Sequence, residues 1–387
     1  MKKITFFLIF IFSLTAFSAP NSGKESAQAD RTPWGGYWWS MKNGETTLGW
    51  KSDTGRKKWS VKNIEKFDNC LWSKSASCKK FMKSALAKNG YKLSPLMKFD
   101  LYVKRIIESD SDLMDYYKEL QTHAAVRELE IHYIGENVNH PLYENAGFAG
   151  KCIGWSMSTF DYDEPVAHNV INGIVFEPAD IKAILATFYT GAIFFISGRD
   201  FYGHEYLENP ASNSTAYYND VLPHKFIKGL YKTIKKGKLV EADLDPGHGV
   251  WNYPIYKYDL VWEKKSGQWI SVKAKIWFAN DEVGIDEIFS IETNRTDIKS
   301  KTYTFDLEMP KNWKGKNLSK AIDGVWTGES VDDHPDTLLL KLEKNWRDMI
   351  QTIGINDNAF NAHLALSNEA TGEMYFDELM NLYYDMM

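Results

Sequence analysis

Between Tyr256 and Met309 the chain alternates apolar and polar residues in three successive stretches. Tyr256, Tyr258, Leu260 and Trp262 form the first set, and Ile270, Val272, Ala274, Ile276 and Phe278 the second. Tyr303, Phe305, Leu307 and Met309 form the third, and Lys264-Lys265-Ser266-Gly267 reads as the turn between the first two. A period of two places each set on one side of a pleated ribbon, so the pattern predicts half-buried antiparallel strands. The front half has a different period. Ile181, Ile184, Leu185 and Phe188 fall at i, i+3, i+4 and i+7 behind Pro178, which predicts a helix stopped by Gly191. A second helix is expected over 223–236, with Pro223 at its start, Phe226, Leu230 and Ile234 on one face, and Gly237 after it. Leu113, Tyr117, Leu120 and Ala124 predict another over 112–130, and Val170–Phe176 reads as a hairpin turning at Asn172-Gly173. The fold class is therefore α+β: a helical half packed against an antiparallel β-meander.

Composition fixes the broad class. The 387 residues are 44% hydrophobic and include 14 Trp, 21 Tyr and 21 Phe, which excludes a disordered chain. A net charge of −5 gives no basic footprint for nucleic acid. Lys2 and Lys3, the apolar run Ile4 to Leu14, and Ala16-Phe17-Ser18 read as a secretory signal peptide cleaved after Ser18. The apolar run is shorter than the roughly 20 residues of a membrane span, and no Cys follows to carry a lipid. The expected organisation is a signal peptide over 1–18, a disordered leader over 19–32, a main domain over 33–310, and an α/β extension over 311–387. That extension packs on the core and ends in an amphipathic helix around 372–386. The mature protein is expected to be secreted or periplasmic, with no membrane span. Residues 33–72 hold Trp34, Trp38, Trp39, Trp50, Trp59 and Trp72. They read as a packing segment, with a sugar-stacking surface as the alternative.

Export makes the cysteine count informative. Cys70 and Cys78, eight residues apart, are expected to pair, which leaves Cys152 over as a reactive thiol or an inert buried one. Gly150-Lys151-Cys152-Ile153-Gly154-Trp155 opens a helical segment. A thiol in a helix's first turn has its thiolate stabilised by the dipole, and if an imidazole also pairs with it its pKa is expected to fall below the free value of about 8.5, with alkylation persisting below pH 7. A nucleophilic Cys needs a base, usually His oriented by a third group. His224 and His248 are the candidates, with His334 behind them. His248 is weighted first because it sits at a loop-to-strand junction among Asp243, Asp245 and Asn252.

The cysteine block resembles the motif of the secreted elicitor-type transglutaminases of oomycetes and bacteria. Asn172-Gly173 followed by Phe176 to Ala183 resembles the block that comes next in that family. Val250-Trp251-Asn252-Tyr253-Pro254-Ile255 resembles the core of the peptide that plants recognise in the oomycete members, with Tyr253 where that pattern has Gln. Val325 to Ser330 with Asp332 to Asp336 resembles a further block near the family's C-terminus. The resemblance spans about residues 33–340 with its four blocks in order. It implies a papain-like arrangement in which the helical half carries the Cys helix. It also implies acyl transfer from a protein Gln through a Cys152 thioester to a Lys amine, so the partners are proteins supplying Gln and Lys side chains. Catalytic roles fall on Cys152, His248 or His224, and Asp245; oxyanion or substrate roles fall on Lys151, Trp155, Trp251, Asn252 and Pro254. Calcium is implied by the same analogy, with Asp243 and Asp245 as ligands, although Asp-x-Asp-Pro-Gly also reads as a turn. Two alternatives stay open: a papain-like cysteine protease or glutamine deamidase using the same thioester, and a non-enzymatic surface-binding protein with Cys152 buried.

Overall fold

The computed structural model describes residues 21–53, 55–109, 123–140, 143, 147, 149–193, 201–202, 221–245 and 250–339. The signal peptide, most of the helix expected over 112–130 (Leu113, Tyr117 and Leu120 included), the helix expected around 372–386, and His248 lie outside them.

The alternating stretches form strands. β6 (Asn252–Lys264), β7 (Trp269–Ala279) and β8 (Ile298–Glu308) pair antiparallel in sequence order. They belong to a sheet that runs β4 (Phe201–Tyr202), β10 (Thr337–Leu339), β5 (Val240–Asp243), β6, β7, β8 and β9 (Asp323–Trp326) among the described residues. Its inward face buries Tyr258, Leu260, Val272, Ala274, Ile276, Tyr303 and Phe305. That face packs on Phe226, Ile227 and Leu230 of α8 (Pro223–Lys232). Pro223 starts this helix, and Gly237, at φ 80°, closes the short 3₁₀ turn that follows.

Two expectations about the ends of the domain are corrected. The leader expected to be disordered over 19–32 instead forms β1 (Ser22–Gln28), which pairs with β6 from Ser22↔Glu263 to Gln28↔Lys257. The cause lies in β6. β5 covers only Asn252 to Ile255, which leaves the longer half of β6 as an open edge, and β1 supplies its missing backbone partners. Gly23 permits this, since a Cβ there would lie 2.5 Å from the Trp262 ring. The boundary expected at 310/311 falls inside the sheet. β9 and β10 lie beyond it, yet β9 pairs with β8 and β10 lies between β4 and β5.

The helical half has its own core. α2 (Val61–Leu71), α4 (Pro95–Ser109), α5 (Ala124–His132), α6 (Cys152–Asp161) and α7 (Pro178–Ile193) bury Phe67, Phe99, Val103, Met157, Ile181, Ile184 and Leu185. The hairpin of β2 (Asn169–Ile171) and β3 (Ile174–Phe176) turns at Asn172 (φ 47°) and Gly173 (φ 70°), as an Asn-Gly pair does in a two-residue loop. Gly191 does not stop α7, which runs to Ile193. One glycine costs a helix about 1 kcal/mol, which the packing of the whole element outweighs. Asp180, in the first turn of α7, accepts from Arg56 at 2.7 Å and Lys98 at 2.6 Å, tying α7 to α4 through a buried ion cluster.

The tryptophan segment is largely packing. Trp34, Trp39, Trp50 and Trp59 are buried, and the first three form a third core with Trp155 and the alanines of α7. Trp38 and Trp72 are only partly buried.

Candidate active site

Cys152 is the first residue of α6. Gly154 holds α6 tight against α7, since a Cβ there would lie 1.9 Å from the Ala186 carbonyl oxygen and 2.3 Å from Thr190 Oγ1. The turn before Cys152 is fixed from two sides. The Lys151 amide donates to the Trp38 carbonyl at 2.6 Å, and the Trp38 ring lies against Gly150, where a Cβ would be 2.3 Å from the ring. The Lys151 ammonium points into the protein and meets Glu128 Oε1 of α5 at 2.5 Å. Glu128 Oε2 holds His132 Nδ1 at 2.9 Å, and that nitrogen is 3.4 Å from Lys151 Nζ. Burial alone would raise the Glu128 carboxyl, but attraction and hydrogen bonds from His132 and Lys151 hold it at about 2. Lys151, expected to face substrate, is thus a buried anchor. Trp155, given the same role, is fully buried edge-on to Trp34 at 6.4 Å.

The β5–β6 ladder sets the opposite wall by pairing Asp243 with Asn252 and Glu241 with Pro254. Asn252 Nδ2 donates to Cys152 Sγ at 3.6 Å, and the thiol donates to the Val250 carbonyl at 3.6 Å. Asp243 Oδ1 accepts the amides of Trp251 at 3.0 Å and Asp245 at 3.3 Å, so it organises the loop between the strands. Burial raises the Asp243 carboxyl to about 8, against the pull of those two amides. Pro254 is buried in β6, and the Trp251 ring meets Trp38 edge to face at 5.6 Å.

The thiol is corrected in sign. Burial, together with the Asp281 and Glu241 carboxyls, drives Cys152 up to about 12, and the two hydrogen bonds from Asn252 only partly offset this. The helix dipole acts as the sequence implied, but desolvation is larger.

Glu241 and Asp281 were not found from the sequence. Glu241 sits fully buried on β5 with neither oxygen hydrogen-bonded. The Ser156 hydroxyl, one turn beyond Cys152, stands beside it without hydrogen-bond geometry. Burial pushes Glu241 well above the carboxylate range. Asp281 follows β7 beside the Tyr253 hydroxyl, and burial raises it to about 6. A carboxylate inside the short buried strand Val-Glu-Ala-Asp was the available signal for Glu241; Asp281 had none.

The candidate bases fare differently. His248 lies outside the described residues. His224, in the first turn of α8, stands 3.7 Å from Asp323 of β9. β9 lies three strand spacings of about 4.8 Å from β6, so the fold does not bring His224 to Cys152. His334 is buried, with Nδ1 3.0 Å from the Ser330 carbonyl and its ring stacked on Trp326. No described histidine hydrogen-bonds the thiol. Cys70 and Cys78 form the expected disulfide, and Cys152 is free. Calcium fits Asp243 and Asp245 poorly: Asp243 is engaged by backbone amides, and the described residues contain no group of three or more acidic, His or Cys side chains able to hold a metal. Among the described residues no helix is long and apolar enough to cross a membrane.

The family model of the transglutaminase elicitors matches residues 140–286. That stretch contains Cys152, the hairpin and α7, β5 to β7 and the Val250–Ile255 block; the block at 325–336 lies beyond it. No curated protein sequence matches the chain. Among solved structures, the crystal structure of the GP42 transglutaminase from Phytophthora sojae aligns with a TM-score of 0.41 and 18% identity, covering 84% of each chain.

Proposed function

We propose that this chain, whose residues 140–286 match the transglutaminase elicitor family, is an exported acyltransferase that joins protein Gln to Lys through a thioester on Cys152. One observation carries the reading: a free thiol begins α6 and meets Asn252 and the Val250 carbonyl, both from the block at the start of β6. A nucleophile at a helix start facing a polar strand end supports nucleophilic acyl chemistry.

In the proposed reaction the Cys152 thiolate attacks the carbonyl carbon of a Gln γ-carboxamide. The carbon–nitrogen bond breaks and ammonia leaves with a proton from the base. A Lys ε-amine then attacks the thioester, the carbon–sulfur bond breaks, and the base takes the amine's proton. The isopeptide forms and the thiol is restored. The Cys152 amide, free at the start of α6, and Asn252 Nδ2 are the donors for the oxyanion. The base is assigned to His248 because it stands two residues before Val250 in the chain. Enclosure of the thiol disfavours water as acceptor, which supports aminolysis over hydrolysis. Papain-like architecture and export through residues 1–18 belong to the same proposal, and the Cys70–Cys78 disulfide suits an oxidising compartment.

The test is incorporation of labelled cadaverine into a Gln-rich protein, beside Cys152→Ser and with and without calcium. Incorporation lost in Cys152→Ser supports the reading, and the calcium arm decides the metal requirement. Ammonia release without incorporation turns it to a deamidase, and peptide-bond cleavage to a protease. No reaction with either donor or water leaves the binding-protein alternative.

A further inference from the structure

α5 presents two stripes of side chains. Glu128 and His132, one turn apart, hold Lys151 beside the nucleophile. Val126, Leu129, Glu130 and Tyr133, at i, i+3, i+4 and i+7, line an open groove of about 470 Å³ instead. α2 contributes Val61 and Glu65, also one turn apart, and the segment after α5 contributes Ile134 and Glu136. Val126 and Ile134 are buried, which makes the floor apolar. Glu65, Glu130 and Glu136 are exposed, which makes the rim acidic. The lining residues include no lysine or arginine, and Arg127 approaches Glu130 only to 3.9 Å.

Two backbone hydrogen bonds lead from this groove to the turn before the nucleophile. The Ile134 amide donates to the Met41 carbonyl at 3.2 Å, and the Met41 amide donates to the Ala149 carbonyl at 3.0 Å. Met41, Ile134 and Ala149 share a small core of their own. Chain segments joined by backbone hydrogen bonds lie about 5 Å apart, so the two steps span about 10 Å. Ala149 is three residues before Cys152, at most about 10 Å more. A chain seated in the groove therefore reaches the surroundings of the sulfur with about six extended residues.

We propose that the groove between α2 and α5 docks the acceptor protein, taking a segment that carries lysine or arginine beside apolar side chains, about six residues from the reacting lysine. This rests on the reading of the chain as an acyltransferase whose acceptors are protein lysines. Charge selects the occupant. The aliphatic stems of lysine and arginine cover the apolar floor while their heads reach the carboxylates of the rim. An acidic segment would set like charges against Glu65, Glu130 and Glu136. A Gln donor needs no cation, whereas a Lys acceptor is itself cationic, so the groove sorts acceptor from donor. The rim contacts lie in water, so each is weak and the affinity falls as salt rises.

The first measurement needs no turnover. A short fluorescent peptide alternating leucine and lysine is titrated with the intact protein and followed by anisotropy. The parent is expected to bind it, and to bind the same peptide with glutamate for lysine at least about tenfold more weakly. Glu130→Lys combined with Glu136→Lys should weaken binding of the lysine peptide about tenfold. Both side chains are exposed, so the fold tolerates the change. Glu263→Lys combined with Glu292→Lys, also exposed but outside the groove, makes the same change in net charge and should match the parent. In turnover, the groove variant should raise KM for a lysine-rich protein several-fold and leave kcat, and KM for cadaverine, unchanged. Groove-variant binding within about twofold of the parent, or an equal loss in the second variant, overturns the docking site. So does spermidine binding as tightly as the peptide, which would make the groove a simple cation site. A dimer of the parent that the groove variant breaks also overturns it, since a second copy would then be the occupant. Absence of cadaverine incorporation, with peptide binding as expected, overturns the acyltransferase reading and leaves the groove standing as a site for basic segments.

Discussion

Glu128→Gln tests how the nucleophile's helix is anchored. The substitution keeps volume and one hydrogen-bonding oxygen but removes the charge facing Lys151 at 2.5 Å and His132 at 2.9 Å. Two routes give its magnitude. The carboxyl lies at about 2 in the fold against 4.5 ordinarily; at about 1.4 kcal/mol per unit, that is on the order of 3 kcal/mol at pH 7. Breaking a buried ion pair from one side costs about 3–5 kcal/mol by analogy with measured pairs. The folded-state pKa is depressed, so this stability is present above about 4.5 and is lost as the pH falls through about 2. Urea unfolding of parent and variant should differ by about 3 kcal/mol at pH 7, and linkage shrinks that gap by roughly 2 kcal/mol at pH 3. A gap below about 1 kcal/mol at pH 7, or one that stays constant down to pH 3, would refute the assignment of Lys151 as a buried anchor.

Alkylation of Cys152 by iodoacetamide in the resting protein should be slow at pH 7 and climb steadily beyond pH 9, following a thiol raised to about 12; a plateau reached below pH 8 would show that a charged partner outweighs burial. Gly154→Ala must push α6 off α7 against a backbone oxygen 1.9 Å from the new carbon, so thermal denaturation should show a loss of several kcal/mol; a melt matching the parent would mean the helices slide apart freely. Replacing both Cys70 and Cys78 by Ala should lower stability by roughly 2–3 kcal/mol on loop entropy and leave thiol labelling at Cys152 unchanged; altered labelling would show that the disulfide supports the site.

The period-two stretches and punctuating residues were enough to place much of the fold. β6, β7 and β8 enclose the alternating residues, and the Asn172-Gly173 turn, Pro223 and Gly237 fall where their backbone preferences put them. These features depend on neighbours a few residues away, so the local sequence carries them. Cys152 at a helix start and the Asn252 block were legible for the same reason. Other features depended on what distant segments bring. Ser22–Gln28 is polar enough to look disordered and is a strand only because β6 leaves an edge open. Lys151 reads as a surface cation but is buried because α5 places Glu128 opposite it. The thiol shows the difference most clearly. Its helix position argues for a low pKa, and the helix dipole is a local influence. Desolvation outweighs it where Trp38 pins the turn at Lys151 and two buried carboxyls, from β5 and the end of β7, raise the thiol further. Burial of a charge is set by everything that excludes water around it, and for Cys152 those groups lie roughly a hundred residues away in the chain on either side.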